Sequence, residues 1–158
     1  MKVRISRLRA ELRSDHAAIR ERLDRLDGVD LSATATDASL ALAAWELHHT
    51  YGAIESILER CTRAMEGQMP SGPDWHRSLL EGAALSIPGV RGPFLSRELV
   101  DGLHELLAFR HFVRHAYTVR LSATRLAELR GRIQQLRPKL DDDLDSLDAW
   151  LAELAEAG

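Results

Sequence analysis

The segment AFRHFVRHAY, residues 108–117, places two arginines, two histidines and a tyrosine in ten positions. A guanidinium is a planar fork of N–H donors that matches phosphate oxygens. An imidazole titrates near neutral pH and can carry a proton in a reaction. RNA brings its own nucleophile, the 2′-hydroxyl. A histidine that takes its proton, with arginines meeting the charge that builds on phosphorus, suffices for strand cleavage without a metal.

On a helix these side chains share a side. With Arg110 at zero and ~100° per residue, Tyr117 falls near roughly -20°, Arg114 near roughly 40°, His111 near roughly 100° and His115 near roughly 140°. Phe109, Phe112, Val113 and Ala116 fall opposite and are expected to enter a core. His111 and His115 are also an i, i+4 pair, a spacing that can bind a metal. No carboxylate lies within a turn of them on that face, and the arginines repel a cation. No metal and no cofactor is therefore expected. A solvated helix end is the plain alternative, since basic residues near a helix C-terminus are favoured by its dipole.

Other polar residues are open to two readings. Tyr51 lies on the seam of a long helix and reads as a core aromatic. Glu55, one turn on, and His48, at its border, are candidates to orient Arg110 or His115. They equally fit surface positions beside the seam. Trp75 and His76 follow a Pro/Gly loop, where tryptophan usually anchors the loop, although it could stack on a base. His16 interrupts an apolar face and reads as a boundary residue. His104 receives no role. The run DDDLD at 141–145 reads as a solvated acidic face near a helix start. Cys61 sits in the seam as an inert buried thiol.

These residues must be positioned by helices. Apolar spacing predicts helices over 3–26, 36–66, 75–85, 96–120 and 122–156. Leu40, Ala44, Leu47, Tyr51, Ile54, Leu58, Cys61 and Met65 form one narrow seam at steps of four and three. Gly28, Asp74 and Ser96 are candidate caps. Pro138 is expected to kink or divide the last helix. No strand is predicted. The fold class is therefore all-α, an up-and-down bundle of four to five helices in one domain over 1–158.

Composition agrees. The chain has 158 residues, 45% hydrophobic and 28% charged, enough for a core without staples. The formal net charge of -3 argues against a constitutive nucleic-acid coat, so any basic site is local. One cysteine leaves no internal disulfide, which fits a reducing cytoplasm. Neither a signal peptide nor a membrane-spanning run is evident.

Arg110, four residues, His115, Ala116 and Tyr117 read Arg-x4-His-x-Tyr. This resembles the signature of HepT-like toxins, a branch of the HEPN superfamily of α-helical ribonucleases. LHHTYGAIESILERCTRAMEG at 47–67 and DWHRSLLEGAA at 74–84 resemble that family's order of segments. The resemblance spans roughly residues 35–150. Residues 1–30 fit an extra N-terminal helix.

The resemblance implies a homodimer whose two motifs share a cleft, and metal-independent RNA cleavage. It implies Arg110 as the group that stabilises charge on the phosphorus. It implies His115 as general base or acid, and Tyr117 as the residue adenylylated by an MNT-type nucleotidyltransferase antitoxin. Arg114 and His111 are added as substrate contacts, Arg114 on charge and geometry alone. The competing expectations are a non-catalytic HEPN binding module working with a nucleotidyltransferase, and a helical adaptor without a site.

Overall fold

The structure, a computed structural model, describes residues 2–115 and 120–157. Its helices are α1 (Lys2–Asp27), α2 (Asp37–Glu66), α3 (Trp75–Ala83), α4 (Arg97–His115) and α5 (Ala123–Ala157). Among the described residues there is no strand, only an isolated antiparallel bridge between Ile87 and Arg91.

Four long helices pack in a cycle. α1 lies against α2 and α5, α4 lies against both as well, and α2 meets α5 across the middle. The short α3 rides on α2 and α4. Leucines at helical spacing explain the arrangement. Leu12, Ile19, Leu23 and Leu26 of α1, Leu47, Ile54 and Leu58 of α2, and Leu129, Ile133, Leu140 and Leu144 of α5 are buried in one core. Tyr51 is in that core, at 1% exposure.

Local signals act where the chain must stop and turn. The Thr36 hydroxyl accepts from the Ser39 amide to start α2, and Gly67, at φ 75°, ends it in the left-handed region. The Leu99 amide donates to the Ser96 hydroxyl at the start of α4. Asp74 makes no capping bond with its side chain, so it does not cap α3 in the expected way. Gly28 follows α1, but its φ is not positive and its amide donates to the Arg25 carbonyl.

Three expectations are corrected. Pro138 does not divide the last helix; α5 continues through it, with Leu136 and Leu140 buried on either side. Arg120 lies outside any helix, so α4 does not run to 120. Phe112 does not enter the core: it is 45% exposed, while Phe109 is buried.

The acidic run is not a purely solvated face. Asp141 accepts from buried His16 at 2.6 Å and from Arg20 at 2.9 Å. Asp143 accepts from the Ser96 amide at 2.8 Å. These carboxylates tie α5 to α1 and to the start of α4.

Candidate active site

Three positions on α2 form the floor of the site. His48, Gly52 and Glu55 follow one another at steps of four and three, so they share a stripe. Each sits one residue after a core position (Leu47, Tyr51, Ile54), at the border of the buried seam. Arg110 of α4 lies across this stripe.

Arg110 Nη1 is 3.3 Å from His48 Nε2 and 3.4 Å from the His48 carbonyl oxygen. Its Nη2 is 3.7 Å from Glu55 Oε1. Gly52 makes the approach possible: a Cβ there would stand 2.7 Å from Arg110 Nη1. A guanidinium only donates, so His48 Nε2 must accept, and the ring proton belongs on Nδ1. Burial, followed by the charges of Arg110, His49 and Arg114, lowers the His48 pKa to about 4. His48 is therefore neutral at pH 7, as that contact requires. Its Nδ1 and the Arg110 Nε are buried and find no hydrogen-bond partner among the described residues.

Glu55 is 3% exposed and is the carboxylate of the site. The sequence offered it as a residue of the second helix that could orient Arg110 or His115, and it reaches Arg110 from α2. Its Oε2 accepts from His76 Nδ1 at 2.7 Å. The His76 ring stacks on Trp75, with centroids 3.6 Å apart, and stands edge-on to the His111 ring at 5.0 Å. Burial is the main cause that lowers the His111 pKa, and the charge on His76 adds to it.

His115, the last residue of α4, is exposed. Its Nδ1 donates to the His111 carbonyl at 2.8 Å. A carbonyl has no proton to give, so Nδ1 carries the hydrogen. In the neutral ring the lone pair is then on Nε2. Arg114 is exposed beside it. Tyr117 lies outside the described residues. Tyr51 is buried beneath the site, and burial pushes its phenol pKa far up.

The structure thus brings Arg110, His111, His48 and Glu55 together, with His115 joined to them through the His111 carbonyl. Two participants had no assigned place in the sequence reading. Gly52 could have been found, since it falls on the His48–Glu55 stripe. His76 could not, because its contact with Glu55 spans a loop and two helices. Among the described residues no three His, Cys, Asp or Glu side chains are grouped to hold a metal ion.

A model of the family described as HepT-like protein matches residues 42–151. The chain belongs to this family. The match takes in the whole described site, from His48 to His115, and leaves out α1. No curated protein and no solved structure matches the chain. HepT-like membership and the all-helical bundle agree.

Proposed function

We propose that this HepT-like protein is a metal-independent endoribonuclease toxin. The observation that carries the reading is the state of the two motif side chains. Arg110 is held by His48 and Glu55 through contacts of 3.3–3.7 Å. His115, fixed through Nδ1, presents Nε2 as an acceptor at the surface. His115 Nε2 takes the 2′-hydroxyl proton, and the 2′-oxygen attacks the adjacent phosphorus. Arg110, aided by exposed Arg114, stabilises the added negative charge. The P–O5′ bond breaks, leaving a 2′,3′-cyclic phosphate and a 5′-hydroxyl.

Family membership supports the rest of the proposal. The chain works as a homodimer, its partner is an MNT-type nucleotidyltransferase antitoxin, and Tyr117, two residues past His115, is the acceptor of an adenylyl group. No helix among the described residues is long and apolar enough to cross a membrane. The proposed setting is the cytoplasm, where RNA is the substrate.

The test is cleavage of a mixed RNA pool in EDTA by protein purified without its partner, wild type beside His115→Ala. The expected result is cleavage by the wild type and loss of at least about 100-fold in the variant, the scale of removing a general base. Equal cleavage by both removes His115 from the chemistry. No cleavage by either favours the alternative, a HEPN binding module that serves a nucleotidyltransferase.

A further inference from the structure

The reaction proposed above needs two proton transfers: one from the 2′-hydroxyl and one to the departing 5′-oxygen. His115 accounts for the first. We propose that His76 supplies the second, as the general acid of the same chain, with Glu55 as its counter-charge. This rests on the ribonuclease reading and adds a residue to it.

The geometry supports the assignment in three ways. First, His76 Nδ1 donates to the Glu55 carboxylate at 2.7 Å, so that nitrogen keeps its hydrogen in both charge states and the exchangeable proton is on Nε2. His115 is arranged alike, with Nδ1 tied to a protein oxygen. The site therefore offers two imidazoles, each fixed at one nitrogen. Second, Glu55 touches both His76 and Arg110, at 2.7 and 3.7 Å, so the proposed acid and the phosphate-binding guanidinium share one buried anion. A carboxylate with a 4% exposed side chain is costly to leave without partners, and the Arg110 guanidinium and the His76 N–H meet it here. Third, His111 links the two proton carriers. Its ring meets the edge of His76, and its carbonyl holds His115. Trp75 covers one face of the His76 ring and fixes its plane.

The step balances. His76 begins as an imidazolium. As the 2′-oxygen bonds to phosphorus and the P–O5′ bond breaks, His115 Nε2 gains the 2′-hydroxyl proton and His76 Nε2 gives its proton to O5′. Exchange with water restores both rings. Among the described residues, Glu55 from α2 and His111 from α4 face His76; Arg110 meets the same Glu55, and Arg114 and His115 act on His111.

A structural tie between α2 and α3 would use the same Glu55–His76 contact, so the test must separate a proton donor from a strut. The probe is an RNA oligonucleotide in which sulfur replaces one bridging 5′-oxygen. A thiolate leaves without protonation. Full-length wild type and His76→Gln are compared on this RNA and on its ordinary counterpart. For His76→Gln, loss of about 100-fold or more is expected on the ordinary RNA and less than about 10-fold on the sulfur-containing RNA.

Equal losses on both substrates, or no loss on the ordinary one, overturn the assignment. The wild type alone gives a second reading that needs no folded variant. Its rate should fall at high pH on the ordinary RNA and not on the sulfur-containing RNA; a fall on both overturns the proposal. Wild type that cleaves neither RNA refutes the ribonuclease reading itself, whereas a failure confined to the substrate comparison refutes only the role of His76.

Discussion

At the scale of the residue, the contacts of Arg110 are long, and the room for its guanidinium is made by the absence of a side chain at Gly52. A methyl group there would stand 2.7 Å from Nη1 and 3.4 Å from Cζ. The atoms it meets are the end of a flexible side chain, so the guanidinium swings away and the backbone stays. Alanine is also the better helix former, by about 1 kcal/mol. Gly52→Ala should therefore hold or raise the urea midpoint while RNA cleavage falls by at least about 10-fold. Stability and activity measured on one preparation check this; unchanged cleavage would show that the Arg110 position does not matter.

His48 gives the pH dependence. Its folded pKa of about 4 is below the ordinary histidine value of 6.5. As pH falls below 6.5 the unfolded chain takes up this proton before the folded one does. Above that range His48 leaves stability unchanged, and between 6.5 and about 4 it lowers it. Urea midpoints at pH 7.5 and 4.5 should fall further for the wild type than for His48→Gln, whose amide oxygen can still accept from Arg110. Equal falls would mean that His48 is not held neutral.

At the scale of the element, α3 is only nine residues long, and it carries Trp75 and His76. A helix this short needs tertiary support. Arg91 supplies it. Its side chain is 2% exposed, pairs with Glu66 at the end of α2 and donates to the carbonyls of Gly82, Leu85 and Gly92. Its guanidinium carbon also lies 3.9 Å from the Phe94 ring centroid. Arg91→Ala removes the pairing with Glu66 and three bonds to backbone carbonyls, at a cost on the order of 1–3 kcal/mol. The urea midpoint should drop, and protection from amide exchange should fall first in α3. A loss spread evenly over all helices would contradict a local clamp.

Arg91 also shows what the sequence could and could not reveal. The helices were legible because their leucines repeat at helical spacing, and the motif was legible because its residues are close in the chain. The clamp, the Glu55–His76 contact and the clasp of His16 by Asp141 join distant segments. No local pattern encodes such pairs. Phe112 was misplaced for a related reason: helical spacing gives its side of α4, but only the packed bundle shows that it stays 45% exposed there while Phe109 is buried. Pro138 was expected to kink or divide α5; with Leu136 and Leu140 buried on either side, the helix is not divided there.

At the scale of the whole molecule, α1 lies before the family match and still supplies Leu12, Ile19, Leu23 and Leu26 to the core. It is part of what keeps α2, and so the floor of the site, in place. The opposite problem arises at the end of α4. Arg114 and His115 are exposed, and Phe112, an apolar ring, is 45% exposed. Leu42 and Trp45 of α2, at 46% and 58%, are also exposed, and Trp45 lies against His49, next to His48. Apolar exposure around a charged site is what a second chain would cover, and a stable interface needs about 800 Å² from each partner.

Light scattering at micromolar concentration should give twice the chain mass. Phe112→Asp should give the chain mass, with helix content unchanged. If the site is composite, the same substitution also abolishes RNA cleavage, although it leaves Arg110 and His115 in place. A monomeric wild type that cleaves RNA would instead make one Arg110–His115 pair sufficient and leave the exposed ring to another role.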